Sequence, residues 1–66
     1  MKLEEVKRHL NKSVQYETAG GAKEYLLTGC ILRKNEKGYF YQAELQDTAN
    51  CNSVLICRLE RVKTGG

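Results

Sequence analysis

The stretch Tyr25–Asp47, YLLTGCILRKNEKGYFYQAELQD, decides the fold. It reads as one long β-hairpin: an apolar run over Tyr25–Leu32, a charged turn over Arg33–Gly38, and a second strand over Tyr39–Gln46. In the second arm Tyr39, Tyr41, Ala43 and Leu45 alternate with Phe40, Gln42, Glu44 and Gln46. That period of two gives one apolar face and one mostly polar face, with Phe40 as the exception. Tyr, Phe, Ile and Thr also suit a pleated, half-buried surface.

Outward from the hairpin towards the N-terminus, Ser13–Thr18 is a short strand with Val14 and Tyr16 on one face. Ala19-Gly20-Gly21-Ala22 then reads as a flexible connection. Before that strand, Leu3, Val6 and Leu10 make one stripe of a short helix. Glu4 and Glu5 fall in its first turn and Lys7, Arg8 and His9 in its last, which suits the helix dipole. Asn11 follows as a residue that tolerates positive φ. Towards the C-terminus, Thr48–Asn52 is a polar loop and Ser53–Cys57 an apolar strand. Leu59 and Val62 add two last core contacts, through a tight turn into a final short strand.

The expected elements are a helix over about 2–10, strands over 13–18, 25–33, 39–47 and 53–58, and a frayed tail over 64–66, within one domain of 1–66. Short connections favour antiparallel neighbours. The expected fold is therefore α+β, mainly β: a short N-terminal helix followed by a bent antiparallel sheet of four or five strands, in the manner of an SH3-like or Sm-like small barrel. The expected core is Leu27, Ile31, Tyr41, Leu45, Leu55 and Leu59, with Leu3, Val6 and Leu10 docked from the helix.

Sixty-six residues with 41% hydrophobic content suffice for one modest core. A mean hydropathy of -0.57 and the lack of any long apolar run exclude a helical membrane span. The opening MKLEEVKRHL carries two glutamates and no continuous apolar segment, so no secretory signal is expected. Three cysteines, Cys30, Cys51 and Cys57, cannot all pair within one chain. Reduced thiols and a cytoplasmic location are the expectation.

Few residues could carry chemistry. A structural zinc site needs four ligands, usually in close pairs. Cys30, Cys51, Cys57 and His9 show no such spacing, so no metal and no other cofactor is expected. Cys30 and Cys57 read as small buried hydrophobes and Cys51 as the exposed thiol, with no base nearby to activate it. Glu44 and Asp47 lie on opposite faces of a regular strand and make a poor acid–base pair. Lys37-Gly38-Tyr39-Phe40-Tyr41 shares the basic-Gly-aromatic opening of the RNA-binding RNP1 signature. It departs from that signature at Phe40 and Gln42, and a turn followed by a hairpin strand accounts for it.

Net charge is +3, from 11 basic and 8 acidic side chains. Arg33, Lys34 and Lys37 crown the hairpin, and Arg58, Arg61 and Lys63 gather near the C-terminus. If the two groups share an edge they form a basic patch fit for phosphates; Glu36 and Glu60 interleave with them, as in an ordinary solvated surface.

Most of the chain after Leu3 resembles small uncharacterised proteins carried on conjugative transposons and related mobile elements of Gram-positive gut bacteria. The residues that carry the resemblance are the opening LEEVKRHLNKSV, Thr28-Gly29-Cys30, Tyr41–Asp47 (YQAELQD) and Asn52-Ser53-Val54. The resemblance implies a cytoplasmic accessory protein and brings no activity or site residues. The order of a leading helix, a V-x-Y strand, a long hairpin and a closing strand is also similar to SH3-like barrels, a likeness of fold and not of function.

A non-enzymatic interaction module is the functional expectation, with another protein as partner through a sheet edge or an aromatic face. The alternative is a nucleic-acid-binding module using the basic hairpin edge and an exposed aromatic. Contacts to either partner are expected from Arg33, Lys34, Lys37, Phe40, Arg58 and Arg61. Membrane association is not expected, and oligomeric state is left open.

Overall fold

Two hairpins of the same construction lay out the sheet. A computed structural model of the chain describes residues 1–50 and 52–64. Strands β1 (Ser13–Thr18) and β2 (Gly21–Asn35) meet at Ala19-Gly20, and β2 and β3 (Gly38–Asp47) meet at Glu36-Lys37. In each turn the residue before the loop accepts a backbone N–H two residues on: Gly20 N–H donates to Thr18 Oγ1 at 3.3 Å, and Lys37 N–H to Asn35 Oδ1 at 2.9 Å. A glycine with positive φ then closes each turn, Gly21 at +113° and Gly38 at +126°, a geometry that side chains resist. The connection expected over residues 19–22 is thus a two-residue turn, and β2 begins at Gly21, earlier than Tyr25. The six-residue charged turn shrinks likewise to Glu36-Lys37, and Arg33, Lys34 and Asn35 belong to the strand.

β4 (Val54–Arg58) runs against β3, a 3-10 turn follows at Leu59–Arg61, and β5 (Val62–Thr64) returns to pair with β1. The order β4-β3-β2-β1-β5 is antiparallel throughout. Among the described residues β4 and β5 do not pair with each other, so the sheet is not closed into a barrel. Helix α1 (Leu3–His9) precedes it all. Asn11 does adopt positive φ, at 63°, and its N–H donates to Leu27 O at 2.7 Å, steering the chain from α1 into the sheet. The molecule is one short helix on a five-stranded, mostly β architecture.

A bulge in β2 determines which side chains are buried. Leu27 faces Leu45, but Gly29 faces Glu44, so Thr28 is the extra residue. Its hydroxyl donates within hydrogen-bond range of Glu44 Oε2, at 2.8 Å, and Glu44 O, at 3.1 Å. An inserted residue switches every later side chain to the opposite face. Cys30 therefore joins Leu27 on the core side, across from Ala43, and Ile31 turns outward beside Gln42.

The core is Val6, Val14, Tyr25, Leu27, Ala43, Leu45, Cys57, Leu59 and Val62. Four of the nine expected core residues, Val6, Leu27, Leu45 and Leu59, are buried. Ile31 is only half-buried because of the bulge, and Leu55 is half-buried because β4 is an edge strand. Tyr41 is 36% exposed: its cross-strand partner Leu32 is itself 56% exposed, and no strand covers that end of the hairpin. Leu3 and Leu10 are exposed because a seven-residue helix turns only the Val6 position into the core. Thr64, expected in the frayed tail over 64–66, instead ends β5 and pairs with Val14, while the reading of Cys51 as an exposed thiol and of Gly65-Gly66 as frayed lies outside the described residues.

Candidate functional site

β4 is shorter than the strand it lies against, and that mismatch makes the site. Its last register pair joins Arg58 to Gln42, after which the chain leaves the sheet through the Leu59–Arg61 turn. Over Gly38–Tyr41, β3 therefore has β2 on one side and, among the described residues, no strand on the other. A hollow of about 310 Å³ opens there, lined by Met1, Lys2, Leu3, Phe40, Tyr41, Arg58, Leu59 and Glu60. Consecutive strand residues point to opposite faces, so a hollow touched by both Phe40 and Tyr41 lies at the strand's edge and not on either face of the sheet.

The far wall of the hollow is the start of the chain. The Met1 nitrogen donates to Val62 O at 2.8 Å and Leu59 O at 3.2 Å, which pins it over the 3-10 turn. Lys2 N–H donates to Glu5 Oε1 at 2.9 Å, ordering the first turn of α1. That hydrogen bond is the main reason the Glu5 carboxyl titrates below its ordinary value. Met1 packs on the core, whereas Leu3 stays 46% exposed and presents its side chain to the hollow.

Arg58 is the hinge of the site. Its guanidinium lies over the Phe40 ring at 3.9 Å from the centroid. Such a contact contributes about 0.5–1 kcal/mol at an exposed site. Arg33 sits directly across from Phe40 in the ladder and shares its face. Arg58 also lines a second groove, of about 420 Å³, with Asn35, Glu36 and Lys37. Among the described residues none of Arg33, Lys37 and Arg58 is in an ion pair; the two pairs present are Lys23–Asp47 and Lys63–Glu17. Gln42, between Ile31 and Arg58 on the same face, keeps its Oε1 buried without a hydrogen-bond partner.

The structure thus brings together Arg33, Lys37, Phe40 and Arg58, and separates the other two candidate contacts from them. Lys34 pairs with Tyr39 on the opposite face, its ammonium 5.6 Å from that ring. Arg61 lies 5.6 Å over the ring of Tyr16, which makes an edge-on contact with Tyr25 at 6.3 Å. Arg61 therefore belongs to the β1–β5 side of the molecule, where Lys63 is paired with Glu17. Phe40 is half-buried, and Arg58 covers its ring. Sequence reasoning missed Met1, Lys2, Leu3 and Tyr41 as part of the site, because nothing local signals that the N-terminus folds over the 3-10 turn.

The groups considered for chemistry are dispersed. His9 Nδ1 is 2.8 Å from Glu5 O within its own helix. Cys30 and Cys57 flank Ala43 from the two neighbouring strands, and burial pushes both thiols up. Glu44 is engaged by Thr28 and Asp47 by Lys23, far apart in role. Among the described residues no three His, Cys, Asp or Glu side chains gather to hold a metal ion, and no helix is long and apolar enough to cross a membrane. No family model, curated protein or solved structure matches the chain.

Proposed function

We propose that this chain is a non-enzymatic protein-binding module that engages its partner at the open edge of β3. The observation that carries the reading is the hollow at Phe40 and Tyr41, set where Gly38–Tyr41 has, among the described residues, no strand on its outer side. An open strand edge offers backbone hydrogen bonds to an incoming chain, and an adjoining hollow supplies side-chain selectivity. A volume of about 310 Å³ is at the lower end of the range for ligand pockets and is enough for one large side chain.

We propose further that the fold is an open relative of the SH3-like or Sm-like small barrels; the strand order and the 3-10 turn between β4 and β5 support that reading, although the sheet is not closed. The resemblance to mobile-element proteins supports an accessory role in the cytoplasm beside a larger assembly. The test is selection from a displayed library of random dodecapeptides, followed by NMR of the labelled protein. Selected peptides should shift the amides of Gly38–Tyr41 and leave those of β1 and β5 in place. Shifts confined to other strands would overturn the reading.

A nucleic-acid reading has one observation in its favour: Arg33, Phe40 and Arg58 share a face with Lys37 close by. Base stacking on such an aromatic contributes about 1–3 kcal/mol per base. Titration of oligothymidylate at low and moderate salt separates the classes. Saturable binding that falls steeply with salt, and weakens in Phe40→Ala, would favour nucleic acid over protein.

A further inference from the structure

We infer that the segment taken up at this edge is extended and acidic: a strand of a partner protein that places an apolar side chain in the hollow and a carboxylate on Arg58. The inference rests on the protein-binding reading above and specifies its ligand. Its first ground is backbone geometry. Gly38–Tyr41 is paired with β2 through Asn35–Leu32, so it is already held in strand conformation, and only its outer side is vacant. A preformed strand edge costs little further ordering when a second strand joins it.

The second ground is the apolar floor. Met1, Leu3, Tyr41 and Leu59 line the hollow, and Leu3 and Tyr41 remain substantially exposed to water there. Strand side chains alternate, so an added strand that drops one residue into the hollow turns its neighbours out along the rim. At the rim the charges are Lys2 and Arg58 against the single carboxylate Glu60, and the adjoining groove adds Lys37 against Glu36. Arg58 lines both, packs on the Phe40 ring, and among the described residues has no carboxylate partner. A guanidinium that is positioned and unpaired favours a carboxylate, through a charge-assisted hydrogen bond.

The other edge strands differ in what they present. β4 exposes Val54 and Ile56 on the face that carries Gln42, Glu44 and Gln46, and neither side chain lines the two hollows described. On β5, Lys63 lies 3.6 Å from Glu17.

The test uses fluorescein-labelled octapeptides with a central Leu or Phe, flanked two residues away by Glu, by Gln or by Lys. Anisotropy at low salt should show the Glu peptide binding about tenfold tighter than the Gln peptide, the scale of one well-formed charged contact. Methylating alternate backbone nitrogens of the Glu peptide should abolish binding, because an added strand needs those donors. Arg58→Gln should erase the difference between Glu and Gln peptides. The methylation arm acts on the ligand and decides the matter whatever the substitution does to folding. Equal binding of Glu and Gln peptides, or indifference to methylation, would overturn the acidic-strand inference and leave the protein-binding reading standing. Binding of oligothymidylate with no peptide bound would overturn both. Concentration-dependent self-association that protects the Tyr39 and Tyr41 amides would place a second copy on the edge and also overturn the inference.

Discussion

Leu45→Ala, set against Ile31→Ala, tests whether β2 carries a bulge at Thr28. Leu45 is fully buried, with Leu27 opposite it on β2 and Leu55 opposite it on β4. Truncation removes three buried carbons, worth about 0.8 kcal/mol each. It also leaves a void between two strands that cannot close without breaking ladder hydrogen bonds, which brings the cost to about 3–4 kcal/mol. A chain of this size holds roughly 3–10 kcal/mol in all. The midpoint of thermal unfolding should fall by about 12–30 °C, read by far-UV circular dichroism. Ile31→Ala is the matched control. It removes a similar volume from a half-buried side chain on the other face, and should cost only about 1 kcal/mol. If Ile31→Ala proves the more damaging, the ladder has no bulge at Thr28 and the whole distal half of β2 is inverted.

Asp47 supplies a pH test. Its carboxyl is held below the ordinary value chiefly by the Lys23 ammonium at 2.8 Å, with help from the Ala49 N–H. A depressed carboxyl contributes stability above its unfolded pKa and loses it as pH falls through the folded one, so the loss lies in the acid range below about pH 4. Asp47→Asn should flatten the acid limb of a melting-temperature profile; an unchanged limb would refute the pair. Lys23, raised by the same contact, loses its share only at strongly alkaline pH. Thiol labelling offers a third check: burial raises both thiols, and iodoacetamide at pH 8, mapped by mass spectrometry, should modify half-buried Cys30 before Cys57. Reductant and chelator should leave the circular dichroism spectrum and the melting temperature unchanged; loss of structure with chelator would show a metal among these residues.

Much of the fold was legible because strand period and turn chemistry are local. The alternation Tyr39–Leu45 correctly named the face that carries Ala43 and Leu45, and Val14 and Tyr16 correctly shared a face of β1. The bulge was not legible in the same way. Alternation counted from Leu27 runs to Ile31, and only the contact of Thr28 with Glu44, sixteen residues away, reveals the extra residue. The glycine pair at Gly20-Gly21 looked like slack in the chain. It turned out to be one tight turn, because a single positive φ at Gly21 was what the hairpin needed. For the site, Phe40 stood out as the one aromatic on a polar face. Its pairing with Arg58 depends on β4 ending opposite Gln42, a fact of register that no local pattern carries.

That mismatch of strand lengths also explains why the candidate site lies where it does. A small sheet has two edges and few residues with which to protect them, and short edge strands are one of the cheaper defences. β4 and β5 are five and three residues long, so each presents little continuous backbone. Shortening β4, however, uncovers the turn end of ten-residue β3, and the exposure moves inward by one strand. There the 3-10 turn and residues Met1–Leu3 border the uncovered backbone without pairing with it, which leaves an apolar hollow in place of a plugged edge. A fold that only needed protection would fill this position with a longer β4 or a lysine in place of Tyr41. Two aromatics and an arginine without an ion pair among the described residues stand beside the open strand instead, which is the arrangement the proposed binding of another chain would use.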